Sequence, residues 1–493
     1  MEEGNNTQEL NEILKVRREK LKKLQKEGKN PFDINTFEVK YSVKEILANH
    51  EQLTNQVISC AGRIIAKRVM GKASFAHIQD RSGKLQLYIR IDVLDEEKYN
   101  DFKKYDIGDI VGITGKPFVT KRGEKSVKVT DMMLLSKSLQ PLPEKWHGLK
   151  DVDLRYRQRY VDLIVNPDVK ETFILRSKII TAIREYMNNN GFLEVDTPVL
   201  QSHSTNSDSR PFKTHHNTLD IDMFLRVETE LALKRLIVGG LERVYEMGRI
   251  FRNEGMSNKH NPEFTSIELY EAYTDYNGMM RRTEELFLYI ADNVFNKRDF
   301  TYQGNSIDLS TPFKTMTMVE AVKKYSGVDF DTFECDDEKA RDIAKEHHIK
   351  VESDATWGGV LNEFFEEKVE ENLMQPTFIK DYPIEVSPLA KKIPGKPHLT
   401  ERFEIFLTSR EIGNAFTELN DPIDQRERFI EQAKIKFGDS DYSIDEDFIH
   451  ALEIGMPPTG GLGIGIDRVI MFFTDSDTIR DVLLFPTMKP TER

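Results

Sequence analysis

Apolar and polar residues alternate with different periods along the chain, and the changes of period outline its parts. Over 7–27, Leu10, Leu14, Leu21 and Leu24 fall near one face of a helix, with lysines and arginines on the other. That pattern fits either a helix packed on its own domain or one that contacts phosphates. From about 56 to 136 the period shortens to two. The runs VISCAGRIIAKRV, ASFAHIQD, KLQLYIRI, DIVGITGKPFVT and KSVKVTDMMLLS read as strands, separated by turn signals at Gly71-Lys72, Ser82-Gly83, Gly108-Asp109 and Arg122-Gly123. Five strands so spaced predict a small barrel of the OB type, an architecture that often binds single-stranded nucleic acid. Phe75 and Tyr88 would either stack on bases or fill the core.

PLPEKWHGLK, over 141–150, is a Pro-containing connector and a domain boundary. After RYRQRYVDLI comes a long helical pattern over 168–190, closed by Gly191, and then a strand, FLEVDTPVL. The rest mixes strands with helices, and an acidic, helix-rich stretch over 331–373 looks inserted.

The 493 residues, 39% of them hydrophobic, suit a globular protein of two or three domains. No apolar run is long enough to span a bilayer and the N-terminus is polar, so a soluble, intracellular protein is expected. Cys60 and Cys335 are the only cysteines, which excludes a disulfide framework and argues against structural zinc. A net charge of −13 disfavours nucleic-acid binding by the whole surface, yet KVRREKLKKLQKEGK over 15–29 puts a dense basic arm on this acidic protein.

Three clusters carry candidate chemistry. FRNEGMSNKHNPEFTSIELYEAY, over 251–273, brings Arg252, Glu254, His260, Phe264, Glu268 and Tyr270 into one hairpin. Alternation puts Phe264, Glu268 and Tyr270 mainly on one face, an aromatic platform beside acids, and the arginine fork suits a phosphate or carboxylate. LTERFEIFLTSREIGNAFTELNDP, over 399–422, is acid-rich within strand-like runs, although strands disfavour acids. Glu404 and Glu411 would there hold Mg²⁺ against a polyphosphate, or form a salt-bridged face. TGGLGIGIDRVIMFF, over 459–473, reads as a glycine-rich strand that admits close approach of a ligand and delivers Arg468. It lacks the βαβ context of a dinucleotide site, and no Walker-type loop occurs. The adjacent pair His215-His216 points opposite ways on a strand and makes no metal site.

In this order the motifs resemble the class II lysyl-tRNA synthetases of bacterial type, over essentially the whole chain. GFLEVDTPVL resembles the first class II motif, ending at Pro198, FRNEG and HNPEFTSIE the second, and GGLGIGIDRV the third. The signatures of class I synthetases are absent. The resemblance implies an α+β protein with a basic helical arm over 1–50 and an OB-fold β-barrel, the anticodon-binding domain, over 51–145. It implies a class II catalytic domain over 146–493, built on an antiparallel sheet flanked by helices, with the insertion near 331–373. The implied activity is ATP-dependent formation of lysyl-adenylate and transfer to the 3′ end of tRNA(Lys), by a cytoplasmic homodimer joined through the region ending at Pro198. No side-chain nucleophile is needed, because positioning and electrostatics carry phosphate chemistry of this kind.

The resemblance also assigns residues. Arg252 bridges the amino-acid carboxylate and the α-phosphate, Phe264 and Arg468 sandwich adenine, and Glu254 and His260 belong to the ATP-side loop. Glu404 and Glu411 hold Mg²⁺, up to three ions per active site. Glu230 meets the α-amino group, Glu268, Tyr270 and Glu418 the ε-ammonium, and Asn414 and Phe416 line the rest of the lysine pocket. Phe75, Gln86 and Glu124 read the anticodon.

One stretch departs from the family pattern. HSTNSDSRPF puts Thr205 and Asn206 where glycines are expected, and RVETEL puts Glu228 where a small residue is usual. Neutral drift accounts for this, or a divergent paralogue with a pocket tuned to a related amine such as β-lysine. A further alternative is an adenylate-forming enzyme that does not charge tRNA, against which the barrel and the basic arm both argue.

Overall fold

The computed structural model describes residues 2–143, 149, 151–202, 209–310, 312–437 and 444–491, so Thr205 and Asn206 lie outside the described residues. The chain divides into two compact units, Met1–Lys150 and Asp151–Arg493.

In the first unit β1 (Ile58–Met70), β2 (Ala73–Gln79), β3 (Lys84–Arg90), β4 (Ile110–Val119) and β5 (Lys125–Ser136) close into a barrel in the order β1-β2-β3-β5-β4. Period-two alternation directs Ile64, Ile78, Leu87, Ile113 and Val127 into the core. The N-terminal arm is a helix, Glu2–Lys26, whose apolar stripe is buried only at its end: Leu24 joins the barrel core, whereas Leu10 is 42% exposed. Its basic face is divided in the same way. Arg17 is buried and donates to the carbonyls of Ser138, Gln140 and Ile107 at 3.0, 3.1 and 3.1 Å. Lys20 pairs with Asp106, and Lys29 with Glu97 and Asp101. Lys15, Arg18, Lys22 and Lys26 stay exposed.

The second unit is built on a mixed nine-stranded sheet. Its strands are β6 (Leu193–Glu194), β10 (Arg243–Phe251), β11 (Glu263–Ala272), β14 (Lys314–Thr317), β15 (Thr377–Pro383), β16 (Lys392–Ile393), β17 (Lys396–Phe406), β18 (Glu411–Thr417) and β19 (Thr459–Gly465). The order is β14-β15-β17-β18-β19-β11-β10-β6, with β16 on β17, and the pairings from β15 to β10 are antiparallel. A hairpin, β12 (Asp299–Tyr302) and β13 (Asn305–Asp308), and a small sheet of β7 (Leu200–Gln201), β8 (Lys213–His216) and β9 (Ile221–Leu225) lie apart from it.

The helix Pro167–Asn189 opens with proline at its first turn and gives way to Gly191 at φ 76°, the left-handed conformation that ends helices and that glycine adopts without strain. Its Ile179, Ile183 and Tyr186 pack in one core with Ile267 and Leu269 of β11 and Phe472 and Phe473 of the helix Ile466–Phe473. FLEVDTPVL is not one strand: only Leu193–Glu194 and Leu200–Gln201 pair, in different sheets. Pro198, between them, has no N–H to give a ladder. The inserted stretch forms a satellite core of Phe330, Trp357, Phe364 and Phe365, covered by the helices Asp337–Glu346 and Trp357–Lys368.

Candidate active site

Residues paired directly across an antiparallel sheet share a face, so register aligns side chains from distant motifs. Glu404, Asn414, Gly463 and Glu268 form one such row through β17, β18, β19 and β11. The next row is Arg402, Phe416, Gly461 and Tyr270. Because β19 contributes glycines to both rows, it forms the floor of a trough whose walls are the side chains of β18 and β11. At Gly461 a methyl group would lie 2.6 Å from Tyr270 Cε1 and collide with Glu418 Oε1, so only glycine fits.

Above the trough is a cavity of about 360 Å³, in the size range of small-molecule sites. Arg252, Glu254, His260, Phe264, Arg468 and Glu411 line one part of it; Glu228, Glu230, Glu268, Tyr270, Asn414 and Phe416 line the other. The hairpin of β10 and β11 closes where the Arg252 N–H donates to Pro262 O at 2.9 Å, and the guanidinium stands 5.4 Å from the Phe264 ring centroid. Arg468 is aimed by its neighbour. Asp467 accepts from the Thr265 N–H at 2.7 Å and from Arg176 at 2.6 Å, which pins the first turn of its helix against β11. Arg468 then donates to Glu411 O at 2.5 Å and Glu411 Oε2 at 3.2 Å, and lies 3.5 Å from His260 Nε2. Burial and the adjacent Arg468 charge hold the His260 imidazole below its ordinary range, so it is neutral at physiological pH.

The acids form two groups. Glu404 accepts from Arg402 at 2.5 Å. Its carboxyl is pushed up to about 7, chiefly by burial, against the pull of Arg402 and with the Glu411 charge adding. A buried carboxyl raised in this way, with a second carboxylate beside it, fits a divalent cation shared with a ligand's phosphates. Among the described residues no group of three or more His, Cys, Asp or Glu could hold a metal unaided.

At the other end, Glu418 does not line the open cavity. It is buried one layer behind, against Lys234, a fully buried cation 2.6 Å from Glu230 Oε1. Glu418 Oε1 remains without a hydrogen-bond partner, as do Asn414 Oδ1 and Arg252 Nε. Glu268 accepts the Thr229 N–H at 3.2 Å and its carboxyl is pushed up to about 7 by burial and the Glu230 charge. Glu228 is pushed up to about 8 by burial, then by Glu230 and Glu268. Sequence reasoning missed Lys234, although its spacing of four residues from Glu230 on one helix face was visible.

The barrel carries an aromatic cluster of its own. Phe75 and Tyr88 are half-buried with ring centroids 5.0 Å apart, and Phe118, which the sequence did not single out, extends the stack 5.6 Å from Tyr88. Gln86 donates to Glu124 at 2.7 Å beside them.

Comparison with known proteins points one way. Residues 151–489 match the family described as tRNA synthetases class II (D, K and N), and residues 58–135 match the OB-fold nucleic acid binding domain. The chain is 58% identical to the Lysine–tRNA ligase of Thermoanaerobacter sp. (strain X514) over 488 residues, 99% of this chain and 98% of that one. It is 56% identical to the Lysine–tRNA ligase of Clostridium acetobutylicum (98% and 94% covered) and 56% identical to that of Clostridium tetani (99% and 98%).

Proposed function

Given that the chain belongs to the class II tRNA synthetases of the aspartate, lysine and asparagine group, and within it to the lysine–tRNA ligases, we propose how its own residues perform that ligation. The reading rests on the acid-lined end of the cavity, where Glu228, Glu230 and Glu268 converge and the buried Glu418 Oε1 has no partner. Buried carboxylates need a cation, and the ammonium groups of lysine supply it, whereas an aspartate side chain would be repelled. The deep end, with Tyr270, Phe416 and Glu418 over Gly461, receives the ε-ammonium, and Asn414 lines the path to it.

The lysine carboxylate attacks the α-phosphorus of ATP in line, an O–P bond forms, and pyrophosphate leaves. Arg252 spans carboxylate and α-phosphate with its planar fork, holding the reactants together and offsetting charge as it develops. Phe264 and Arg468 enclose adenine, and Glu254 and His260 face the ATP. Glu404 and Glu411 fit Mg²⁺, which supplies neutralising charge on the phosphates. A ribose hydroxyl at the tRNA end then attacks the lysyl carbonyl of the adenylate, an ester forms, and AMP leaves. No helix among the described residues is long and apolar enough to cross a membrane, and the enzyme acts in the cytoplasm with tRNA. The subunits pair through the segment ending at Pro198, where Leu193 is 51% exposed in the single chain, with Leu200 just beyond it 44% exposed.

Amino-acid-dependent ATP–pyrophosphate exchange tests the reading. Strong exchange with L-lysine and none with aspartate or asparagine is expected; a protein inert toward lysine overturns it. The barrel face carries a second expectation. Base stacking on an aromatic contributes about 1–3 kcal/mol, so Phe75→Ala raises the KM for tRNA(Lys) by roughly 5–150-fold. Exchange measured without tRNA stays as in the parent. Equal loss in both assays would place the defect in folding instead of anticodon binding.

A further inference from the structure

Glu228 stands out in the cavity wall as an acid without a partner. It lies between β9 and the helix Glu230–Val238, and the chain is tied down on both sides of it. Two residues before, Arg226 is buried; it donates to Arg249 O at 2.9 Å and Thr197 O at 3.1 Å and pairs with Glu246. One residue after, the Thr229 N–H is held by Glu268 at 3.2 Å. The backbone of Glu228 is therefore fixed, yet its carboxylate makes no hydrogen bond or ion pair. The charged groups facing it are Glu230 and Lys234 from the helix, Glu268 from β11, and Arg252 from the end of β10. Lys234 is committed to Glu230 and Glu418, and Arg252 is the group that meets a carboxylate. Glu228 and Glu268 are left as two acids without a resident cation, each within reach of the Arg252 charge.

We propose that Glu228 is a further specificity-determining residue, which beside Glu230 grips the α-ammonium of the incoming amino acid. This deepens the lysine-activating reading above and depends on it. An L-amino acid whose carboxylate lies on Arg252 presents its α-nitrogen to Glu228 and Glu230, while Glu268 and Glu418 await the far ammonium. The pocket then demands an α-amino group more strictly than one with a small residue at 228. Proton linkage follows. Burial and the neighbouring acids keep the Glu228 carboxyl protonated in the empty pocket at pH 6. Its proton must leave to solvent when the ammonium arrives, so lysine binds more tightly as pH rises from 6 to 8. Glu268 contributes a similar, lower-lying step.

The test compares the parent with Glu228→Gln and Glu228→Ala, using L-lysine as substrate and 6-aminohexanoate as inhibitor. The inhibitor keeps the carboxylate and the far ammonium but lacks the α-amino group. A charge-assisted hydrogen bond sets the scale, so both variants should raise the KM for lysine by roughly 10–100-fold with kcat nearly constant. The Ki of 6-aminohexanoate should not change, and the gain in lysine binding between pH 7 and 8 should flatten. An unchanged or lower KM for lysine in both variants overturns the proposal, as does an equal shift for lysine and 6-aminohexanoate. If the parent exchanges with another amino acid but not with lysine, the underlying reading fails first and the proposal with it; that outcome is distinct because it appears before any substitution is made.

Discussion

Arg252→Lys is expected to lower the rate of lysine-dependent ATP–pyrophosphate exchange by about 10²–10³-fold, the usual cost of removing one preorganised donor from developing charge. Lysine keeps the positive charge but loses the planar fork that spans a carboxylate and a phosphate at once. The side chain has little structural work to protect it from the change. It is only half-buried, its Nε has no partner, and the hairpin it terminates is closed by its backbone N–H on Pro262 O at 2.9 Å. Thermal stability should therefore stay close to that of the parent. The loss should fall mainly on kcat, because the proposed adenine sandwich of Phe264 and Arg468 is left in place. Exchange within tenfold of the parent would show that charge alone suffices and that the fork is not used.

Arg252, Phe264, Glu404, Glu411 and Arg468 stand out in the sequence because each sits in a short run whose residue types clash with ordinary strand chemistry. Acids in strands and glycines before an arginine need a ligand to explain them. What the sequence lacked was the register that brings those runs together. Asn414 faces Gly463 and Gly463 faces Glu268 only once β19 is inserted between β18 and β11, although β19 lies far from both along the chain. The barrel was legible for a different reason: its strands neighbour one another in sequence, and alternation is a local signal. FLEVDTPVL misled because its apolar residues resemble a strand core, while Pro198 breaks the ladder and Leu193 and Leu200 face outward. The N-terminal arm showed both of its readings at once, since burial of Arg17 beside exposed Lys15 and Arg18 depends on where the helix meets the barrel. Lys234 was hidden because a Glu and a Lys four residues apart usually mark a solvated helix face. Here that face is turned into the pocket, and no local pattern records the difference.

Lys234 therefore carries the second large expectation. Four acids gather at one end of the cavity, Glu228, Glu230 and Glu268 in its wall and Glu418 behind it, and like charges in a dry site cannot all ionise unaided. Lys234 sits fully buried between Glu230 and Glu418, and its charge opposes the upward push of burial on the Glu418 carboxyl. Lys234→Met keeps much of the volume and removes the cation. Breaking a buried pair in this way costs about 3–5 kcal/mol, which for a unit of this size is a fall in Tm of roughly 4–7 °C. The pH dependence follows from the sign of the shift. With Lys234 gone, Glu418 rises further above its unfolded value, and a carboxyl raised in the folded state contributes stability below its unfolded pKa that is lost as pH rises through the folded one. The deficit of the variant should accordingly be smallest near pH 5 and largest near pH 8. A deficit that does not change with pH would mean that the residue matters for packing and not for charge. The double variant Lys234→Met/Glu418→Gln removes both partners, and should recover part of the lost stability while remaining unable to hold the ε-ammonium of lysine. Recovery of stability without recovery of exchange would separate the two duties of Glu418: holding a resident lysine in the fold, and receiving a second one as substrate.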